Sequence, residues 1–279
     1  MRSGARLTVL FVNDPLLHAA AAAAAYDVRA MAEHTTAELT SFVGSSLSAA
    51  VCRATSVRCE EALGRPAREI MKRARRGGFD LIVLGTQGLS GASKMFFGST
   101  TAGVLRDAAV PVLAVPPVPH GRRAGRPARS WPGRQFIAPI DLDRSSPADV
   151  GQAVGLARWL GARLLLLHIV RISPPPPWYR ADLTREVDAR VNQVRAALEA
   201  LRAQAPDIIG DVSVIAGDLA EEIAAAARRH RAGLVVLTLR SRRRLFGSRA
   251  GSIAYSVVCR APAPVLALPP APRRRARRS

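Results

Sequence analysis

Leu81-Ile82-Val83-Leu84-Gly85-Thr86-Gln87-Gly88, then Gly98-Ser99-Thr100, then Pro111-Val112-Leu113-Ala114-Val115-Pro116-Pro117 decide the fold, because the chain writes this pattern twice. At a constant offset of 153 residues, Leu234-Val235-Val236-Leu237 repeats the first apolar run and Gly251-Ser252 repeats Gly98-Ser99. Pro264-Val265-Leu266-Ala267-Leu268-Pro269-Pro270 repeats the last segment, and Gly217 repeats Gly64. A second match, Gly4-Ala5-Arg6-Leu7 against Gly161-Ala162-Arg163-Leu164, has offset 157. The offsets differ by about one helical turn, so an insertion of that length lies between the two blocks. Self-similarity on this scale makes the chain a tandem of two copies.

Each copy alternates strand and helix. In copy two, Gln135 to Ile140 reads as a strand, and Ser146 to Leu160 as a helix with Ser146 as N-cap and Pro147 at N1. Leu164 to Val170 is a nearly continuous apolar run, the mark of a strand covered on both faces. Leu183, Val187, Val191, Val194, Leu198 and Leu201 recur every three or four residues, which predicts an amphipathic helix over 181–205. Strands follow at 212–216, 234–238 and 264–268, with helices at 219–230 and 252–260. This rhythm predicts two α/β domains, each a doubly wound parallel sheet whose ligands bind beyond the carboxyl ends of the strands. Domain 1 is expected over 1–117 and domain 2 over 134–270, joined by an Arg/Pro/Gly-rich linker at 118–133 and followed by a basic tail at 271–279. Subtracting 157 from Phe136 gives a position before Met1, so copy one lacks counterparts of the first strand and helix. Either the chain begins late or the first domain manages with four strands.

Composition narrows the classes. Of 279 residues, 48% are hydrophobic, 22% charged and 5% aromatic, too apolar for disorder and too poor in aromatics for a base-stacking surface. No apolar run approaches the ~18 residues of a membrane span, and Met1-Arg2-Ser3-Gly4 leads into a strand rather than a signal peptide. The net charge of +20 rests on arginine; Lys72 and Lys94 are the only lysines. The charge is spread along most of the chain, which favours genome composition over a dedicated anion-binding face. Cys52, Cys59 and Cys259 lack zinc or redox spacing and read as small hydrophobes of a reducing cytosol. His168 sits at a strand end with no nucleophile or carboxylate partner in sequence reach, so no catalytic residue and no metal ligand is assigned and the chain is read as a non-enzyme.

The chemistry gathers in the loop after Leu84. Gly85-Thr86-Gln87-Gly88, nine residues and Gly98-Ser99 form G-x2-G-x9-G-S, with Gly98-Ser99 opening a helix. Glycines let backbone approach a ligand, and a helix N-terminus offers free N–H groups to phosphate. The competing reading is a plain glycine turn with Ser99 as N-cap. There is no Walker A motif and no G-x-G-x-x-G after a first strand. The loop, the element order and the Val-Pro-Val-Leu-Ala-Val-Pro ending together resemble the universal stress protein family. In copy two, Ala138-Pro139-Ile140-Asp141 resembles the family's opening strand and Leu167-His168-Ile169-Val170 the end of its second.

The resemblance implies ATP or a related nucleotide as ligand, with slow ATP hydrolysis left open. In copy one it implies Val12 and Asn13 near adenine, and Gly85, Gly88, Gly98, Ser99 and Thr100 at the phosphates. In copy two it implies Asp141 at the adenosine, Ile169 and Val170 near adenine, and Gly251 and Ser252 at the phosphates. There the early glycines are replaced: the loop reads Thr238-Leu239-Arg240-Ser241. Asp141 has an equal alternative as an acid near the dipole of the following helix. The expected protein is a cytoplasmic stress-response regulator. Its expected partners are the nucleotide and an intrachain pseudo-dimer of its two domains through their last strands, with a homodimer also open to it. Two alternatives stand beside it: a nucleotide-free interaction protein of the same fold, and a weak, unspecific nucleic-acid binder through the arginine-rich linker and tail.

Overall fold

A computed structural model of the chain describes residues 4–24, 27–86, 98–117, 131–171, 184–239 and 252–270. The chain forms two compact units, Met1–Gly78 and Phe79–Ser279. The expected linker, apart from 131–133, and the basic tail lie outside the described residues.

The first unit runs β1 (Arg6–Asn13), α1 (Pro15–Ala23), α2 (Val28–Ser46), α3 (Ala49–Ala54), β2 (Ser56–Leu63) and α4 (Pro66–Arg76). β1 and β2 pair in parallel from Arg6↔Ser56 to Asn13↔Leu63 and form a two-stranded sheet. α2 packs against β2 and α4 against β1. The helices begin where side chains satisfy free amides: Asp14 accepts from the Leu16 N–H, and Asp27 from those of Arg29 and Ala30. α4 buries Met71 and Ala74, while Arg73 bonds Glu60 and donates to the Glu61 carbonyl at 3.0 Å.

The second unit begins with the rest of copy one, β3 (Ile82–Gly85), α5 (Ser99–Asp107) and β4 (Val112–Val115). Copy two follows as β5 (Gln135–Pro139), α6 (Ser146–Trp159), β6 (Arg163–Val170), α7 (Thr184–Arg202), β7 (Ile209–Ala216), α8 (Leu219–Arg229), β8 (Leu234–Thr238), α9 (Ser252–Arg260) and β9 (Val265–Leu268). These strands form one seven-stranded sheet in the order β3-β4-β9-β8-β5-β6-β7. Every neighbouring pair is parallel except β4 and β9. The chain is an α/β protein of two tandem doubly wound copies, the first without counterparts of β5 and α6.

The repeat is visible in the elements. β1, β2, α4, α5 and β4 fall residue for residue on β6, β7, α8, α9 and β9 at the sequence offsets. At the seam, Leu113 pairs with its own counterpart Leu266, Val112 with Ala267 and Ala114 with Val265. That reciprocity is the signature of an isologous contact, here inside one chain. The last strands therefore pair as expected, and α5 packs against its counterpart α9 beside them.

The missing strand has a specific consequence. In copy two, β5 is central: it joins β6 on one side to β8 on the other. Among the described residues the counterparts of those neighbours in copy one, β1 and β3, pair with β2 and β4 respectively, and the strand without a counterpart is the one that bridges in copy two. Side chains register the loss. Leu81 and Val83 are 43% and 55% exposed, whereas their counterparts Leu234 and Val236 are 1% and 3% exposed. Leu234 and Val236 share a core cluster with Val150, Ala153, Val154 and Ala157 of α6, which copy one lacks. On β1, Leu7 and Phe11 are likewise exposed.

Two local details differ from the sequence reading. Ser146 is the first helical residue, not the cap. Its hydroxyl accepts from the Asp143 N–H at 2.7 Å and lies within donating distance of the carbonyls of Asp141 and Asp143 at 2.9 and 2.7 Å. β7 begins at Ile209, earlier than its apolar run, because Ile209 is fully buried although Gly210 and Asp211 interrupt the pattern.

Two measurements check this architecture. Amides of β3 should exchange with solvent roughly tenfold or more faster than those of β8, since β3 is an edge with a bare face; equal protection would mean that β3 is covered. A Cβ at Gly233 would stand 1.8 Å from the Pro132 carbonyl oxygen. Gly233→Ala should therefore cost about 1–3 kcal/mol in urea unfolding.

Candidate functional site

In copy two the carboxyl ends of β6 and β7 open on a cleft of about 390 Å³. Arg171, Gly217, Asp218 and Leu219 form one wall, and Ile253 and Ser256 of α9 the other. The turn from β7 into α8 is fixed locally. The Gly217 N–H donates to the Val170 carbonyl at 3.1 Å, and a Cβ at Gly217 would lie 2.9 Å from Glu222 Cγ. Its counterpart Gly64, at φ +147°, donates to the Asn13 carbonyl at 3.1 Å and crowds Glu69 in the same way. Both turns require glycine. Asp218 caps α8, accepting from the Ala220 and Glu221 N–H groups at 3.1 and 3.0 Å. The counterparts of Arg171 and Asp218 are Asp14 and Arg65, so the two copies carry opposite charges at these positions.

Of the residues expected in copy two, Val170 ends β6 beside Arg171 and gives its carbonyl to Gly217. Ile169 is buried in the sheet. Asp141 is exposed after β5, and its carbonyl lies near the Ser146 hydroxyl that closes the turn. His168 Nδ1 donates to the Ile140 carbonyl at 2.7 Å, so this imidazole is satisfied at the strand end. Ser252 begins α9; Gly251 and the Arg240–Arg244 run lie outside the described residues.

The residues expected in copy one fall in both compact units. Val12 and Asn13 close β1, with Val12 half-buried. The Asn13 side chain is buried and donates its amide to Glu61 Oε1. Glu61 Oε2 is buried without a partner among the described residues. In the second unit Gly85 ends β3, exposed, with its carbonyl accepting from Thr101 Oγ1 at 3.1 Å. Gly98 precedes α5 and provides no side-chain cap; Ser99 is exposed and Thr100 half-buried on its first turn. Among the described residues a Cβ at Gly98 would meet Thr101 Oγ1, at 3.9 Å, so their packing does not demand glycine there. Gly88 lies outside the described residues.

Sequence reasoning missed Arg171, Asp218 and Ser256 as lining residues. Asp218 had a signal, an acid just before an amphipathic run. Gly217 had one too, its repetition of Gly64. Arg171 and Ser256 had none, since neither belongs to a motif. Among titratable groups, Cys259 on α9 has its thiol pushed up, first by burial, so it stays protonated near neutrality. No group of three His, Cys, Asp or Glu suited to a metal occurs among the described residues.

Comparison with known proteins places these features. The model of the universal stress protein family matches residues 1–116 and 134–269. A relative from Thermus aquaticus, named as a universal stress protein in the QAH/OAS sulfhydrylase 3'region, is 44% identical over 64 residues, 22% of this chain and 47% of that one. The match thus spans about half the length of that relative. A putative universal stress protein from Pseudomonas aeruginosa UCBPP-PA14 has the same fold at TM-score 0.59 and 19% identity, over 96% of this chain and 94% of that one. A universal stress protein from Archaeoglobus fulgidus DSM 4304 does so at TM-score 0.60 and 20% identity, over 96% and 89%.

The cleft wall offers a direct test. Asp218→Ala removes two cap bonds and should cost about 1 kcal/mol in urea unfolding. Arg65→Ala, at the counterpart that makes no cap bond, should change stability by less than about 0.5 kcal/mol. Equal losses would contradict the cap.

Proposed function

The chain belongs to the universal stress protein family, and from that premise we propose that it is a stress-response regulator binding ATP or a related nucleotide as a controlling ligand rather than a substrate. The phosphates lie at the start of α5, against backbone at Gly85, Gly88 and Gly98 and the hydroxyls of Ser99 and Thr100. One observation carries this reading: α5 opens without a side-chain cap, after a glycine that packing of the described residues does not require. Orphan amides and the positive end of the helix dipole favour phosphate there, and bare glycine allows it close approach. No side chain is assigned to nucleotide hydrolysis. No described helix is long and apolar enough to cross a membrane, and we place the protein in the cytoplasm as part of the same proposal.

A nucleotide-free interaction role is the second reading. The observation favouring it is the exposed apolar rim at Leu81 and Val83.

Calorimetric titration with ATP decides between them. Gly98→Val and Gly88→Val should each weaken binding roughly tenfold or more, about 1.4 kcal/mol. Arg171→Ala and Ser241→Val should change it less than about twofold. Equal losses at both copies would move the site, and no heat from the unaltered chain would favour the interaction role.

A further inference from the structure

The amino ends of the copy-two strands form one rim, because β6, β5, β8 and β9 run parallel side by side. Helices α6, α8 and α9 end at the same rim, since each carries the chain back to start the next parallel strand. Arginines scattered in the sequence meet there. Arg134 and Arg163 stand at the starts of β5 and β6, and the Arg163 N–H donates to the Arg134 carbonyl at 2.8 Å. Arg228 and Arg229 close α8, Arg231 follows, and Arg260 closes α9. All six are exposed, and no ion pair engages them among the described residues. The acids at this end are already engaged: Asp207 accepts from Arg158 at 3.0 Å, Glu199 from Arg202 at 3.3 Å, and Asp211 from the Val212 N–H at 2.8 Å. Two of the three tryptophans of the chain stand here as well. Trp159, the last residue of α6, is 75% exposed, and Trp131, beside the Pro132 that lies against Gly233, is 53% exposed.

Helix dipoles account for cations in the last turns of helices. They do not account for two further features of the rim. Gly210 leaves the β7 backbone bare where the Arg163 guanidinium lies, and a Cβ there would stand 3.0 Å from Arg163 Nε. Arg231 holds φ at 47°, whereas its counterpart Gly78 is a glycine at φ +61°. Side chains rarely adopt that conformation, and helices commonly end on glycine there. Copy two keeps a cation where the backbone prefers none. We propose that this rim binds single-stranded nucleic acid without sequence preference. The guanidinium groups take phosphates, and the exposed indole faces stack unpaired bases. The unpaired charge calls for a polyanion, and the bare rings between the arginines call for one with open aromatic faces, which a duplex keeps stacked inside. The site stands whether or not nucleotide binds at α5.

The test uses the full chain and a dye-labelled single strand of mixed sequence, about 20 nucleotides long, which exceeds the usual footprint of one such site. Fluorescence anisotropy should show saturable binding that weakens steeply with salt, and tryptophan emission should be quenched. Arg134→Gln, Arg163→Gln and Arg231→Gln together should weaken binding about tenfold or more and lower the logarithmic salt slope by about 2. The charge-matched set Arg144→Gln, Arg171→Gln and Arg185→Gln, at the opposite end of the same strands, should weaken it less than about threefold. Trp159→Leu should weaken binding about fivefold and reduce the quenching, with the salt slope unaltered. Arg231→Gly should weaken binding about threefold while the urea midpoint stays the same or rises, because glycine suits that backbone. Equal losses from the two triple variants overturn the proposal, because binding would then follow net charge alone. So does a duplex of the same sequence that binds as tightly as the single strand while Trp159→Leu is silent. Absence of saturable binding to the strand, with or without capture by anionic lipid vesicles, overturns it as well.

Discussion

The antiparallel pairing of Val112–Ala114 with Val265–Ala267 is the contact on which the second unit depends. A parallel sheet grows by crossover connections, each placing the next strand on the same sense. The two copies could not share one sheet by that rule alone, since each ends its own series of strands. One reversed ladder joins copy two to the β3-α5-β4 part of copy one and makes a single core of them. Leu113 and Leu266 stand on its pseudo-twofold axis, and both belong to the unit's main apolar cluster or its margin. The fragment β3-α5-β4, too small to bury a core by itself, becomes an extension of copy two.

Magnitudes explain where the structure gives way. Covering a Leu or Val side chain is worth about 1.5–3 kcal/mol, and each hydrogen bond of a new ladder adds about 1 kcal/mol net. β5 and α6 provide both terms around Leu234 and Val236. Copy one forgoes them around Leu81 and Val83, and the loss falls at the centre of its sheet. Its strands consequently sort with whatever neighbours remain: β1 with β2, and β3 with β4 and through it with copy two.

Much of this was legible in the sequence, because a buried parallel strand is a short apolar run and a repeat shows each run twice. The bounds of β8 and α9, Leu234–Thr238 and Ser252–Arg260, were readable to the residue. The absence of a first strand followed from subtraction. Its effect was not readable, since strand order is a property of pairing and leaves no mark in composition. Ser146 looked like a cap because serine before proline usually is one; here its hydroxyl is spent on the turn behind it. Of the expected site, the strand-end positions Val12, Asn13, Val170 and Gly85 were found as such, because ends of apolar runs are visible. That Asn13 would be bound to Glu61, and that Arg171 and Asp218 would line a cleft, depends on neighbours distant in sequence.

The reversed ladder also changes what dilution and mutation can do. Two free subunits meeting through such a seam would separate as their concentration fell. Joined in one chain, the partners see each other at a fixed local concentration, so the seam is indifferent to how much protein a cell makes. A self-associating subunit also receives every substitution twice, once on each side of its axis. The fused pair receives it once. Either lip of the seam is free to drift while its partner holds.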